Sequence, residues 1–293
     1  NAPGAAGETT LKIPQLNKSL VLADGPAGLR LKQTYGIDNK GIYDIVCDPI
    51  VTHMVDFLPL KAITKHFIAP DNSKRKGEIH HQFTTAIPIG TALAQSFNKQ
   101  FVYEIGTIIK SEMEYFNVDL WLAPAINIHR NILCGRNFEY YSEDPYLSGV
   151  IASFITKGVQ DNSNKVVTIK HFAANNQEIN RNNNNSHVSE RALREIYLKP
   201  FEIAIKNGNA KAIMTSYNLI NGVHTSESKP LLEDILRIEW GFDGLVLAGN
   251  DLTMPGCNAD LKDLKRAMKN KKINRNDLLK SASRIYNFIN SVK

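Results

Sequence analysis

"KVVTIKHFAANN", Lys165 to Asn176, is the stretch on which the fold turns. An apolar, β-branched run from Val166 to Ile169 passes into Lys170 and His171 and then into a row of side-chain amides. It reads as a strand that runs into a polar loop. The segments on either side have a helical period. Upstream lies "PYLSGVIASFITKGVQ" (Pro145 to Gln160), a helix with proline at its start. Downstream lies "SERALREIYLKPFEIAIKNGN" (Ser189 to Asn209), with Ser189 placed to cap its start and Gly208 to stop it.

The same alternation continues outward. "SLVLADG" (Ser19 to Gly25), "TTAIPIG" (Thr84 to Gly90), "VDLWLAPAIN" (Val118 to Asn127), "AIMTSYN" (Ala212 to Asn218) and "GLVL" (Gly244 to Leu247) read as strands. "TALAQSFNKQFVYEIGTIIKSEMEYFN" (Thr91 to Asn117) and "KPLLEDILRIEWG" (Lys229 to Gly241) have apolar residues at helical spacing. The tail reads as two amphipathic helices, from Leu261 and from Arg275, with an Asn-Arg-Asn break between them. Repeated β-then-α order predicts a parallel sheet, open or closed into a (β/α) barrel. Leu31 to His81 is polar, without a clear period, and reads as an insertion.

One join does not fit. Gly244–Leu247 leads directly into "AGNDLTMPG" (Ala248 to Gly256), which reads as the end of a further strand. Parallel neighbours need a crossover of roughly a dozen residues. The Leu247–Ala248 junction is therefore where a βα unit is expected to be missing from the sequence.

Bulk properties narrow the function classes. The chain has 293 residues, 32.7 kDa and a net charge of +6, but its Lys and Arg are scattered. A nucleic-acid surface would need a basic stripe with interleaved aromatics, so no nucleic-acid partner is expected. No apolar run is long enough to span a bilayer, so no membrane partner is expected. Cys47, Cys134 and Cys257 form neither a CxxC motif nor a metal-ligand pattern, so no metal and no cofactor are expected. The odd cysteine count favours a reducing compartment and a cytoplasmic location. The chain opens on Asn1 rather than Met, which leaves a trimmed leader open.

The strand ends carry the polar signal. Asp24, Asn127, Lys170, His171, Tyr217 and Asn218 all follow apolar runs, and in a β/α barrel such ends share one face. Asp24 could accept hydrogen bonds from vicinal hydroxyls, or cap a turn. Arg30 could serve the same site or the surface. "HRNILCGRNFEYYSEDP" (His129 to Pro145) has the make-up of a functional loop, with Arg136 its best fork-like donor, and equally of an ion-paired structural loop. Cys134 reads as a small buried residue rather than a nucleophile.

Lys170 and His171 alternate in direction, so only one of them is expected to point straight into a barrel, and the other to reach through the loop. Asn175, Asn176 and Gln177 are neutral donors and acceptors that suit a hydroxyl-rich ligand. Met214 and Tyr217 lie three apart and are expected on opposite faces of one strand, one of them largely packing, unless the strand breaks. These residues point to a polyol or sugar pocket without naming a reaction.

Eight segments in this order resemble glycoside hydrolase family 3, in particular its β-glucosidase branch: "ADGPAGLR", "TAIPIGTALAQSFN", "LAPAINIHRNILCGRNFEYYSEDPYLSG", "KHFAANNQEINR", "SERALREIYLKPFE", "MTSYNLINGVHT", "LLEDILRIEWGFDGLV" and "AGNDLTMPG". Leu31 to His81 matches poorly. The resemblance implies a TIM-type (β/α) barrel, incomplete or collapsed, with residues 1–293 as the family's N-terminal domain. It implies retaining hydrolysis of terminal β-D-glucosyl residues, from a β-glucoside or a short β-linked oligosaccharide, by two carboxyl groups about 5–5.5 Å apart. It implies that Asp24, Arg30, Arg136, Lys170, His171, Met214 and Tyr217 bind the terminal sugar. A homo-oligomer is compatible with this reading.

Two departures bear on catalysis. The family's nucleophile is an Asp in a Ser/Thr-Asp-Trp motif closing the strand that begins "GFDGLV", and here it falls in the segment missing after Leu247. Asp251 matches a structural Asp of the next strand, and Asp243 lies at the wrong end of the barrel. The second domain, an α/β sandwich that supplies the acid/base Glu, is not in the sequence either. Two other readings stay open: a catalytically inactive sugar-binding barrel, and a β-N-acetylglucosaminidase using His187 as acid/base, where an exposed His leading a helix is the plainer alternative. A genuine deletion would open sheet edges and expose a core face.

Overall fold

The structure, a computed structural model, describes residues 3–9, 19–45, 75–247 and 258–292. In chain order its strands are β1 (Gly7–Glu8), β2 (Val21–Ala23), β3 (Thr34–Asp38), β4 (Gly41–Asp44), β5 (Glu78–His81), β6 (Leu120–Trp121), β7 (Val166–Phe172), β8 (Asn185–Ser186), β9 (Ala212–Thr215), β10 (Leu219–Ile220), β11 (Val223–His224) and β12 (Leu245–Leu247). The longer helices are α1 (Gly90–Gln95), α2 (Lys99–Tyr115), α3 (Pro145–Gln160), α4 (Lys199–Lys206), α5 (Asn258–Lys269) and α6 (Arg275–Ser291), with a π-helical segment at Pro230–Glu239.

The main sheet has the order β1-β2-β6-β7-β9-β12. From β2 onward the neighbours are parallel, with Leu22 opposite Leu120, Leu120 opposite Val166, Thr168 opposite Ala212 and Ala212 opposite Leu245. Strands that follow one another in space as they do in sequence, each joined by a helical crossover, wind in one direction. Right-handed crossovers then put the connecting helices on the same face. The result is a curled sheet, the half-barrel of a TIM-type fold.

Strand period 2 sorts the side chains onto the two faces. Val21, Ala23, Trp121, Val167, Ile169, Ile213 and Val246 pack outward against Ile105 and Ile109 of α2, Ile151 and Ile155 of α3, and Phe201 of α4. Leu20, Leu22, Leu120, Val166, Ala212, Leu245 and Leu247 face inward, where Phe288, Ile289 and Val292 at the end of α6 cover them. Each such aliphatic side chain, buried, contributes about 1.5–3 kcal/mol. Helices α2 and α3 approach closely where Gly106 meets Gly158; a Cβ on Gly106 would lie 2.5 Å from the Ile155 carbonyl oxygen.

Several elements differ from the sequence expectation. Thr84–Ile89 is not a strand: Ile87 N donates to Ala27 O, but Pro88 has no N–H with which to extend a ladder. The single helix expected over 91–117 is two, α1 and α2, broken at Phe97 (φ 49°), with Asn98 capping α2 by accepting from Phe101 N at 3.0 Å. The stretch read as a polar insertion holds order at both ends. β3 pairs antiparallel with β4 and β5 into a small separate sheet, tied by Arg75 to Asp38. Ser189 caps its helix as expected, accepting from Ala192 N. The break between the tail helices comes earlier than the Asn-Arg-Asn triplet, at Lys271 (φ 56°), and Asn274 then caps α6 in a capping box with Asp277. Residues 248–257, with the unexplained join and Asp251, and Cys47 and Cys257 lie outside the described residues.

Candidate functional site

At the C-terminal ends of the parallel strands lies a cavity of about 410 Å³. The seven residues expected to form a sugar site, Asp24, Arg30, Arg136, Lys170, His171, Met214 and Tyr217, all line it.

Asp24 and Lys170 form its floor. Counting by twos from the inward-facing Leu20 and Leu22 reaches Asp24, and from Val166 and Thr168 reaches Lys170. Across the sheet Lys170 Nζ donates to Asp24 Oδ1 at 2.7 Å, and Lys170 is 3% exposed. The loop after Asp24 turns sharply at Gly25 (φ 121°), where a Cβ would lie 1.9 Å from the Gly28 carbonyl oxygen. That turn returns Arg30 over Asp24: Arg30 N donates to Asp24 O at 2.8 Å and its guanidinium pairs with Asp24 Oδ2. Burial pushes the Asp24 carboxyl up. The charge and hydrogen bond of Lys170, the Gly25 N–H and Arg30 outweigh it and hold the group below the ordinary carboxylate range. Asp24 is therefore ionised at neutral pH, an acceptor with no proton to give.

His171 follows Lys170 in the chain and both line the cavity, although His171 does so from within β7 and not through the loop. The register of β7 against β9 shifts between Lys170 and Phe172, which breaks the alternation at this point. Asn127 holds the turn, with its Nδ2 donating to His171 O and its Oδ1 accepting from His171 N, both at 2.8 Å. Burial, then the charges of Arg136, Lys170 and Arg181, push the imidazole well below its ordinary pKa, so His171 is neutral.

Met214 and Tyr217 also share the cavity, the outcome expected if the strand breaks between them. β9 ends at Thr215, so Tyr217 lies past the strand and its direction is set by the loop. Arg136 begins a single 3₁₀ turn, Asn137–Glu139, and pairs with Glu139, which is 4% exposed. Burial disfavours the Arg136 cation, but the hydrogen bond and charge of Glu139 prevail and keep it protonated. Thr91 Oγ1 anchors the turn by donating to Asn137 O at 3.1 Å and Tyr140 O at 3.0 Å.

Sequence reasoning missed Arg181. It lines the cavity, donates to Glu178 Oε2 at 2.8 Å and lies 4.7 Å over the Tyr217 ring. Asn175 connects it to the loop, donating to Glu178 Oε1 and to the Tyr140 hydroxyl. Arg181 sits in "NNQEINR", a stretch quoted for its amides, and its distance from the strand end hid its direction. His187 does not line this cavity; it belongs to the wall of another. Cys134 is buried, as expected, and Asp243 is exposed at the start of β12. Among the described residues no three His, Cys, Asp or Glu side chains gather as a metal site, and no helix is long and apolar enough to cross a membrane.

Comparison with known proteins points the same way. Residues 61–254 match the model of the glycosyl hydrolase family 3 N-terminal domain. The chain is 47% identical over 214 residues to β-glucosidase A of Butyrivibrio fibrisolvens, covering 68% of this chain and 25% of that protein. It is 46% identical over 177 residues to a β-glucosidase of Ruminococcus albus, covering 60% of this chain and 19% of that one. Among solved structures, β-glucosidase 3B of Thermotoga neapolitana, in complex with glycerol, aligns with a TM-score of 0.80 and 37% identity over 99% of this chain and 38% of its own. The Kluyveromyces marxianus β-glucosidase, in complex with glucose, aligns with a TM-score of 0.77 and 30% identity over 99% of this chain and 32% of its own. This chain thus spans about a quarter of the length of the curated relatives. With the half-barrel and the family match in agreement, the chain belongs to glycosyl hydrolase family 3.

Proposed function

We propose that the cavity holds the terminal glucosyl residue of a β-glucoside, and that the protein to which this barrel domain belongs hydrolyses that residue by a retaining mechanism. One observation carries the reading: seven residues scattered from Asp24 to Tyr217 line a single cavity, with Asp24 ionised against Lys170 at 2.7 Å. An ionised carboxylate accepts from vicinal hydroxyls. Lys170, Arg136 and Arg181 donate to hydroxyl oxygens, and Tyr217 and Met214 offer apolar surface to the ring's C–H groups. The related proteins are named as β-glucosidases, and two of their structures hold glycerol or glucose.

Retaining hydrolysis requires a nucleophilic carboxylate and a second carboxyl group as acid/base. The described lining contains one carboxylate, Asp24, and it is committed to Lys170 and Arg30. The nucleophile and the acid/base are therefore assigned to parts of the protein beyond this lining. The lining cations Arg30, Arg136, Lys170 and Arg181 outnumber their partners Asp24, Glu139 and Glu178, and the excess positive charge would favour the ionised form of an incoming nucleophile. In this reading the present chain binds glucose without turning it over. Calorimetric titration with glucose and hydrolysis of an aryl β-glucoside by the full-length protein test the two halves. Binding lost in Asp24→Ala, with turnover lost in the full-length variant, is the expected outcome. Turnover unaffected by that substitution would sink the reading.

A further inference from the structure

A second cavity, of about 400 Å³, shares no lining residue with the first. Its size falls in the range of about 300–1,000 Å³ typical of small-molecule sites. Its polar wall is built from Arg130, the side-chain amides of Asn131, Asn176, Gln177 and Asn184, and His187, with Ser186, whose hydroxyl donates to Ala174 O, and contains no carboxylate. We propose that this cavity is a separate carbohydrate-binding site for a neutral, hydroxyl-rich ring.

The hydrogen bonds within the wall decide the class of ligand. Each amide has one end held by the protein and the other end free among the described residues. Asn176 Nδ2 donates to Ile128 O, which leaves its Oδ1 to accept. Gln177 Nε2 donates to Ile179 O and Asn184 Oδ1, both at 3.2 Å, which leaves Gln177 Oε1 to accept and Asn184 Nδ2 to donate. Asn131 Oδ1 accepts from Leu133 N at 2.9 Å, which leaves its Nδ2 to donate. Arg130 has no ion pair among the described residues and adds a fork of donors. Such a wall offers donors and acceptors together. A hydroxyl does both, so a polyol satisfies both sets. A carboxylate or phosphate only accepts, and would leave the Asn176 and Gln177 oxygens facing its charge. A cation would meet Arg130 with no counter-charge. Val188, Ala174 and the ring of Tyr197 complete the lining with apolar surface for the C–H side of a pyranose.

The test is an NMR titration of the ¹⁵N-labelled chain with methyl β-D-glucopyranoside, following the side-chain amides of Asn184 and Gln177, with glucuronate as the anionic control. The expected result is saturable shifts at both amides with the glucoside, weaker with glucuronate. They should persist in Asp24→Ala, which removes the first site. Gln177→Leu and Asn184→Leu, both on the cavity wall and outside the core, should weaken this site by about tenfold, the effect of one or two lost hydrogen bonds. Glucose binding at the Asp24 site should not change in either. Should Asp24→Ala fail to fold, a wild-type stoichiometry of two sugars per chain carries the same information. Shifts that vanish with Asp24, a stoichiometry of one that the leucine variants leave intact, or tighter binding of glucuronate would each overturn the proposal. Loss of the Asp24 site alone would instead count against the β-glucosidase reading.

Discussion

The inner side of the curled sheet has two layers on the same strands, and they do opposite work. The lower layer, Leu22, Leu120, Val166, Ala212 and Leu245, is apolar and closed off by Phe288, Ile289 and Val292. Two to four residues further along, the strands carry Asp24, Lys170 and Met214 around the cavity. One period-2 register places both layers. What separates them is how charge is tolerated: the lower layer excludes it, and the upper one buries it only in pairs. The comparison teaches that substitutions in the upper layer should cost stability through a stranded partner, and those in the lower layer through an empty volume.

The largest effect should come from Arg136→Ala. Glu139, 4% exposed, would lose its cation. Removing one member of a buried pair costs about 3–5 kcal/mol. Arg136→Lys should recover part of this, since an ammonium replaces the charge but not the planar fork. Urea denaturation reads both. A loss below about 1 kcal/mol would mean that Glu139 finds other partners, and the upper layer would not depend on pairing.

Phe288→Ala comes next. It removes the plug of the lower layer and should cost about 3 kcal/mol, the low end for a buried aromatic because a terminal helix can resettle. Glucose binding at the Asp24 cavity should survive, because the polar layer makes no use of this ring. Binding lost while the fold persists would join the two layers into one unit.

The third test uses protons. The folded-state pKa of His171 lies well below the ordinary 6.5, so the unfolded chain binds a proton that the folded one refuses. Stability should be full above 6.5 and fall as pH drops beneath it, by up to about 1.4 kcal/mol per pH unit. Asp24, also depressed, contributes stability present above 3.8 and lost as pH falls further. The two windows open at different pH, His171 below 6.5 and Asp24 below 3.8, so His171→Asn should flatten the upper limb, the fall between 6.5 and 3.8, where Asp24 contributes little. Thermal midpoints measured from neutral to strongly acid pH give the answer; an unchanged upper limb would assign it to another group.

Much of this was legible in the sequence, for physical reasons. The strand at Val166–Phe172 and the helix at Pro145–Gln160 have strong periods and clear ends, and they appear where expected. Asp24 and Lys170 were legible because each ends an apolar run, and a parallel sheet brings such ends together. The directions of His171 and Tyr217 were not, since one depends on a register shift and the other on a loop past the strand end. Arg181 was hidden for a related reason. Its place depends on Glu178 and Tyr217, contacts that no local period encodes. In the small sheet, the pairing of β3 with β5 sets Thr34 opposite His81, far apart in sequence, whereas the β3–β4 hairpin is local, Asp38 opposite Gly41, and was missed because β3 has too few buried residues to show a period.

The smallest effect makes the sharpest control. Arg194 pairs with Glu239 at 2.7 Å and also with Glu190, on paper a richer ion pair than Lys170 with Asp24. Its side chain is 39% exposed, where that of Lys170 is 4%. Water and salt already screen the Arg194 pairs, and ordering the long side chains offsets what attraction remains, so such pairs contribute about 0–1 kcal/mol. Arg194→Ala should therefore shift the urea midpoint slightly at low salt and hardly at all at high salt. Arg136→Ala should keep most of its cost in both, because the stranded Glu139 is hidden from the salt. If the two variants proved equally salt-sensitive, burial would not be what distinguishes the layer around the cavity from the surface, and the cost predicted for Arg136 would need another cause.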